Sequence, residues 1–456
     1  MLRSLIPDHL RCDELFLLIG TNTLPNWVAA KLLVKSEGRA HLVYTSGVRK
    51  HAERLKAILE EERIRVEWFE TAEADERKIF SDVRRHAETL KKNDRKIGLN
   101  YTGGTKMMSV HAHRAMRDLC LTDSLSYLDA RSLQMKFDYP NGGEFDISLE
   151  EQIRIEIKKL FRLHDDYPDL KINPNNQKAR GVPATAGLIG IHSKYSGQQI
   201  WREWCDKLKV GRLNLRKLKE EQPDKYDDEV LRLNEKRFFV EEDFGKQVKK
   251  HLEHPDRKFS PPDVQRYLQK IVASYRSLLA GLKVNGDDSL QTAAANTSGE
   301  FANALDLAKW LDGMWLEDYA FDQLQSVAGK GDCDINQNGL AINLKPENRE
   351  GREFEADVIA VRGYQLFYLS CSTASEKSKL KPKLFEALER ATQLGGDEAK
   401  IGLVCNSDSP VKLRQECEAD WESFASNQIE VFGREDLPIL ADELKRWFKG
   451  ERRKGR

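Results

Sequence analysis

Two stretches of the 456-residue chain gather side chains that could do chemistry. The first is LNYTGGTKMM, residues 99–108, where Asn100, Thr102, Thr105 and Lys106 surround Gly103 and Gly104. The string ends a predicted strand and opens a predicted helix, where unpaired backbone N–H groups and the helix dipole favour negative charge. Glycine lets a ligand approach the main chain closely, the threonines add hydroxyl donors, and Lys106 adds a cation. This is equipment for holding phosphate. The second stretch is EFEADVIAVRGYQLFYLSCST, residues 353–373. Side chains alternate along a strand, so Glu355 and Asp357 share a face at the rim of an apolar run. Two carboxylates there are costly unless solvated or coordinated, and oxygen ligands at this spacing suit Mg2+ or Mn2+. After a turn at Arg362-Gly363-Tyr364 the next strand carries Ser370 and Ser372 on one face and Cys371 on the other. Cys371 as a nucleophile has no histidine partner in view.

The elements that must position these residues are read from hydrophobic periodicity. Residues 14–140 alternate strand and helix: ELFLLIG, AHLVYTS, IRVEWFE and KIGLNYT as strands, each followed by an amphipathic helix, then SLSYLDAR and SLQMKFDYP as closing strands. That spacing predicts an α/β unit with a mostly parallel, doubly wound sheet, whose ligands bind at the carboxyl ends of the strands. IGTNTLPN after the first strand then brings Gly20, Asn22 and Thr23 to the same edge, and YTSG after the second brings Thr45 and Ser46. Each loop alone also reads as an ordinary strand-to-helix turn. The TGGTK string is neither a Walker A loop, since Thr105 precedes the lysine and the first glycine is missing, nor GxGxxG.

Residues 146–298 are dominated by helical patterns, including EEQIRIEIKKLFRLH at 150–164, with a linker at NGDDSLQTAAANTSG. GVPATAGLIGIHSKYSGQQIW within this region mixes glycine with apolar residues in a way the sequence does not explain. From 299 to 450 a second α/β unit follows. Thr297 and Glu300 offer a capping box, a long helix runs through Trp310, Trp315 and Leu324, and strands LAINLK, FEADVIAVRG, YQLFYLSCS, AKIGLVCN and QIEVFG alternate with helices. The tryptophans at 201, 204, 310 and 315 read as core.

Asn100-x-Thr102-Gly103-Gly104-Thr105-Lys106 after the fourth strand, together with the Gly20-Thr21-Asn22 loop leading into Pro25-Asn26, resembles a CARF domain, the CRISPR-associated Rossmann-like fold, over residues 1 to about 145. The resemblance implies a homodimer that senses cyclic oligoadenylates made by type III CRISPR complexes. It implies that Asn100, Thr102, Gly103, Gly104, Thr105 and Lys106 hold the ring's phosphates and riboses, and that Gly20, Asn22 and Thr23 line the pocket floor. A symmetric ring suits a two-fold dimer with identical loops facing each other.

The carboxylate strand, with Glu317 of WLEDY on the preceding helix, resembles the PD-(D/E)xK nuclease core and the nuclease half of CARF-linked effectors activated by cyclic tetra-adenylate. The resemblance implies Glu317, Glu355 and Asp357 as metal ligands and Glu317, Asp357 and a lysine as catalytic residues. The chain departs from the pattern where (D/E)xK should stand, reading Ser370-Cys371-Ser372. Lys383 on the following helix is the expected substitute for the lysine; the other reading is that Lys377, Lys379, Lys381 and Lys383 form a solvated basic face. The expected function is a cyclic oligoadenylate-activated, metal-dependent endonuclease cutting DNA and/or RNA in antiviral defence. The alternatives are a catalytically altered CARF regulator that binds nucleic acid or a partner, and a sensor that degrades its own ligand.

Composition sets bounds on these readings. Lys+Arg and Asp+Glu both number 74, so any nucleic-acid site is local rather than a whole-chain field. The seven cysteines contain no CxxC pair, which argues for reduced thiols and against a zinc ribbon. No apolar run approaches the roughly 20 residues of a membrane span, and the charged start lacks a signal peptide's core. The expected location is the cytoplasm. The basic tail KRWFKGERRKGR reads equally as a phosphate contact or a solubilising terminus.

Overall fold

The computed structural model describes residues 6–91, 95–119, 121, 124–129, 132–138, 144–149, 153–164, 172, 174–208, 222–254, 260–328, 333, 335–345, 354–420 and 428–451. Two sheets organise the chain. The first contains β1 (Cys12–Leu18), β2 (Val34–Tyr44), β3 (Arg65–Glu70), β4 (Ile97–Asn100), β5 (Leu125–Asp129), β6 (Gln134–Asp138) and β7 (Glu144–Ser148), in the order β3-β2-β1-β4-β5-β6-β7. Its pairs are parallel from β3 to β5, and β6 and β7 close it antiparallel. β1 is buried almost throughout because helices cover both faces: α1 (Leu24–Leu33), α2 (Arg49–Glu61), α3 (Glu76–Lys91) and α4 (Lys106–Asp118). Each lays an apolar stripe on the sheet, Leu55, Ile58 and Leu59 from α2, Ile79 and Val83 from α3, Met108, Ala112 and Met116 from α4. The chain turns one way from β1 to β2 and the other way to β4, so β1 and β4 flank the switch point where such sheets open a crevice. β7 was not legible in the sequence, and β2 begins before the expected AHLVYTS.

The expected helix at 150–164 starts only at Ile157, giving α5 (Ile157–His164). Before it the backbone is extended: Ile153, Ile155 and Ile157 are buried while Arg154 and Glu156 are exposed, and Ile155 N–H donates to Gly363 O at 2.9 Å. The IRIEI alternation is therefore a period of two, which beat the helical pattern downstream.

The middle contains α6 (Val182–His192), α7 (Gly197–Cys205), α8 (Pro223–Asn234), α9 (Glu241–Leu252), α10 (Pro261–Leu282) and α11 (Leu290–Asn296). The glycine-rich stretch finds its reason here. α6 and α10 cross so closely that a Cβ on Gly187 would lie 2.3 Å from Leu278 N, and one on Gly281 would lie 2.4 Å from Ala184 Cα. Gly281→Ala should therefore force the helices apart and cost about 1–3 kcal/mol, seen as a lowered denaturant midpoint with an unchanged slope. Within the expected linker, Ser289 caps α11 by accepting from Thr292 N at 3.1 Å.

The capping box at Thr297 and Glu300 does not form. Asn303 caps α12 (Ala304–Lys309), and Glu300 instead accepts from Gly181 N–H at 2.8 Å. The expected long helix is also interrupted. A π turn at Trp310–Met314 separates α12 from α13 (Trp315–Ala328). A wide turn brings residues five apart onto one side, and Trp310 and Trp315 are both 0% exposed.

The second sheet runs β12-β11-β10-β9-β8, from β8 (Ile335–Leu344), β9 (Ala356–Arg362), β10 (Gln365–Ser372), β11 (Lys400–Cys405) and β12 (Ile429–Phe432). β8, β9 and β10 form an antiparallel meander, while β10, β11 and β12 are parallel. α14 (Lys377–Gly395), α15 (Pro410–Asp420) and α16 (Leu440–Phe448) complete the unit. One apolar core joins the two α/β units: Leu160, Phe161 and Leu163 of α5 connect the residues under α1 and α2 to those under α14. The other face of the second sheet merges with the helical middle. The fold is thus a Rossmann-like α/β unit followed by helices and a second α/β unit. Among the described residues no helix is long and apolar enough to cross a membrane.

Candidate ligand crevice and carboxylate site

At the switch point the loops after β1 and β4 meet. A Cβ on Gly20 would stand 3.2 Å from Gly104 N, and one on Gly103 would stand 2.2 Å from Leu18 O. Gly104 has φ +77°, a left-handed conformation that glycine adopts without cost. The glycine pair is thus what lets TGGTK fold back onto the end of β1. Thr105 caps α4, its Oγ1 accepting from Met108 N at 3.2 Å and donating to Glu73 O at 3.2 Å. The Oγ1 of Thr102 accepts from Leu128 N at 2.6 Å. Asn100 is buried, its Nδ2 donating to Ser126 Oγ at 3.1 Å and its Oδ1 accepting from Thr102 N at 3.4 Å. These three side chains fix the loop. Lys106 and Ser46 are exposed at this edge, and Thr45 is buried beneath Ser46.

Two members of the β1–α1 loop turn elsewhere. Thr23 is buried and donates to Leu163 O at 2.6 Å. Asn22 donates from Nδ2 to Glu398 Oε2 at 2.9 Å. Beside the crevice lies a cluster that the sequence did not single out. Tyr101 Oη donates to Asp138 Oδ1 at 3.0 Å, and His113 Nε2 lies 2.8 Å from Asp138 Oδ2. Burial and the Asp138 carboxylate push the Tyr101 phenol up.

In the second unit α13 packs across the antiparallel meander and carries Glu317 toward it. Val358 pairs with Leu369, which sets Asp357 opposite Ser370. Asp357 Oδ2 accepts from Ser370 Oγ at 3.1 Å and from Cys371 N–H at 2.7 Å. Lys383, in the second turn of α14, donates to Cys371 O at 3.2 Å and places Nζ 4.0 Å from Asp357 Oδ2. Burial, then the charges of Asp357, Glu355 and Asp318, push the Glu317 carboxyl up to about 8, against the pull of Lys383. Burial also raises Asp357, opposed by Lys383, the Cys371 N–H and Ser370, and supported by Glu386. Glu386, one turn beyond Lys383, is a carboxylate the sequence reading did not include. Glu355 is exposed, 3.6 Å from Lys345 Nζ, and acts on Glu317 at longer range. Cys371 is no nucleophile: its thiol is buried and pushed well above its ordinary value.

Three separate elements therefore deliver two mutually repelling carboxylates and one ammonium to one place. Among the described residues no group of three or more His, Cys, Asp or Glu side chains converges as metal ligands. The carboxylates that could hold a cation here are Glu317 and Asp357. Two largely desolvated carboxylates, both raised by burial and Glu317 raised further by the Asp357 charge, suit a hard divalent cation, which relieves that cost.

Residues 15–158 match the family model described as Card1 CARF domain. The match runs from within β1 to the first turn of α5 and includes the whole TGGTK loop. No curated protein matches the chain. Among solved structures, protein VC1899 from Vibrio cholerae aligns with 16% identity and a TM-score of 0.57, covering 96% of this chain and 98% of that one. Can2 from Sulfobacillus thermosulfidooxidans, solved in complex with cyclic tetra-adenylate, aligns with 15% identity and a TM-score of 0.56, covering 97% and 98%. At these identities the likeness is one of fold, and it extends past the CARF region over the helical middle and the second sheet.

Proposed function

We propose that the protein is a nuclease of type III CRISPR antiviral defence, gated by a cyclic oligoadenylate and dependent on Mg2+ or Mn2+. The observation that carries the reading is the convergence of Glu317, Asp357 and Lys383 from α13, β9 and α14, 4.0 Å separating the last two, in a chain whose first unit matches a CARF domain. Glu317 and Asp357 would hold the cation, with Glu355 contributing charge. A divalent ion bound there would activate a water and stabilise the charge that builds on the attacked phosphate. Lys383 places a second positive charge beside the same centre, and the donors Ser370 Oγ and Cys371 N keep the Asp357 carboxylate in one orientation. The missing (D/E)xK lysine is thus replaced from a neighbouring helix.

At the other end, the amide-rich TGGTK turn, the α4 N-terminus and Lys106 offer donors to the phosphates of a ring. Cyclic tetra-adenylate is the ligand we favour, held between two copies of the chain. Ligand that binds one arrangement of the units better than another shifts their equilibrium.

The test is incubation of plasmid DNA and of RNA with Mg2+ or Mn2+, with and without cyclic tri-, tetra- and hexa-adenylate. Cutting only in the presence of one ring supports the reading. Full-rate cutting without any ring overturns the gating. The Ser370-Cys371-Ser372 sequence favours one second reading, a regulator that binds nucleic acid without cutting; binding without cleavage under every condition would establish it. A specific ring should also raise the thermal midpoint by mass action. Lys106→Ala should weaken its binding about tenfold, the loss of one charge-assisted contact, read as a smaller midpoint shift at the same ring concentration.

A further inference from the structure

Asn22 lies in the loop that forms one wall of the crevice, yet its side chain reaches the second unit. Its Oδ1 accepts from Leu24 N at 3.1 Å, which fixes the amide orientation and leaves Nδ2 to donate to Glu398 Oε2 at 2.9 Å. His164, the last residue of α5, places Nε2 3.1 Å from the same Oδ1 and Nδ1 3.1 Å from Leu160 O. Both ring nitrogens thus lie within hydrogen-bond distance of an oxygen. Glu398 is 2% exposed, and among the described residues no partner side chain bonds its second oxygen. An imidazole and a buried carboxyl group are thus bridged by one amide.

The bridge is tightly packed. Gly396, which ends α14 with φ +71°, fits because a Cβ there would lie 2.5 Å from His164 Nε2 and 2.7 Å from Asn22 Nδ2. The Glu398 main chain is anchored as well, its carbonyl accepting from Gln365 Nε2 at 2.7 Å. Gln365 opens β10, and the far end of β10 supplies the Ser370 and Cys371 donors that hold Asp357. α14 ends at this bridge, and Lys383 lies about 18 Å back along it at 1.5 Å per residue. Both elements that bear on Asp357 therefore have one end beside Glu398.

We propose that the Asn22–His164–Glu398 bridge is the coupling element between the two sites. It passes a movement of the β1–α1 loop to α14 and β10, and so sets Lys383, Ser370 and Cys371 against Asp357. This rests on the gated-nuclease reading and adds its route. Asn22 is a transmitting residue, and Glu398 a positioning residue acting through two rigid elements.

The test uses the full-length chain in a double-mutant cycle of Asn22→Ala and Glu398→Gln. The readouts are the ratio of ring-stimulated to unstimulated cutting, the dissociation constant for cyclic tetra-adenylate, and the thermal midpoint. Glu398→Gln keeps the shape and removes the charge, so it guards against loss of folding in Asn22→Ala. Each single variant should lower the stimulation ratio at least tenfold while still binding the ring saturably. The double variant should be no worse than the poorer single one, because both break one connection. Wild-type stimulation ratios in both single variants, or additive losses in the double, would overturn the coupling. Loss of ring binding in Asn22→Ala with full stimulation in Glu398→Gln would make Asn22 a pocket residue and overturn it too. A wild-type chain that cuts without responding to any ring would overturn the gating reading, and the coupling with it.

Discussion

On the gated-nuclease reading, Asp357→Asn should lower cutting at least about a thousandfold while binding of the cyclic ligand persists. A bound cation contributes several kcal/mol of charge stabilisation, and each 1.36 kcal/mol is a factor of ten in rate. Asp357 is the centre of the site: Ser370 Oγ and Cys371 N donate to its Oδ2, Lys383 Nζ stands 4.0 Å away, and its charge raises Glu317. Asparagine preserves the volume but offers no charge to a cation. The measurement is the initial rate on plasmid and RNA with saturating metal and ring, beside a ring titration. A variant that retains more than a tenth of the wild-type rate would remove Asp357 from the mechanism. If ring binding fell in step with the rate, the fault would be folding. Lys383→Ala tests the substitution of the motif lysine in the same assay, and a smaller loss is expected because Lys383 is half exposed and the carboxylates remain.

What the sequence could reveal follows from where the information sits. Strand and helix order in both α/β units is written in neighbouring residues, so ELFLLIG, IRVEWFE and FEADVIAVRG are legible without a structure. The edge at which Gly20 and the TGGTK loop meet follows from that order, since the switch point lies between the strands that precede them. Asn22 shows the limit. A Gly-Thr-Asn turn reads as pocket lining, but the partner of Asn22 is Glu398, 376 residues away, and nothing local encodes it. Lys383 is intermediate. Its charge and helix are visible, while its approach to Asp357 depends on how α14 lies against β10. The glycines of α6 were visible but mute, because their meaning is the backbone of α10 on the other side. The α5 boundary was misread through a local ambiguity: IRIEI followed by IKKLFRLH fits a period of two and then 3.6, and burial of Ile153 and Ile155 against the second unit decided where one gives way to the other.

The same electrostatics that would favour a cation at this site should make it a liability without one. In metal-free buffer the protein should lose stability as pH rises from about 5 to about 8. Glu317 has an ordinary value of 4.5 and is pushed to about 8 in the fold. Between those values the folded chain holds a proton there that the unfolded chain has released. Stability falls with pH wherever the native state binds more protons, at up to about 1.4 kcal/mol per pH unit for one group. The favourable contribution is thus complete below pH 4.5 and is lost as pH approaches 8. Asp318, raised to about 6 by burial, adds the same sign over a lower range, and Asp357, also raised by burial, acts in the same direction. Glu317→Gln removes its contribution and should flatten the decline, leaving the metal-free variant a few kcal/mol more stable than wild type at pH 8.5. It should be inactive as a nuclease. Adding Mg2+ or Mn2+ at pH 8.5 should raise the wild-type midpoint and leave Glu317→Gln nearly unmoved, because a cation takes the place of the proton. Denaturation curves from pH 5 to 9 in chelator and in metal decide the matter. If the two proteins run parallel in chelator, Glu317 does not face Asp357 as a desolvated carboxylate. A gain in stability from one lost charge, together with loss of cutting, is the signature of a group held under strain for a cation.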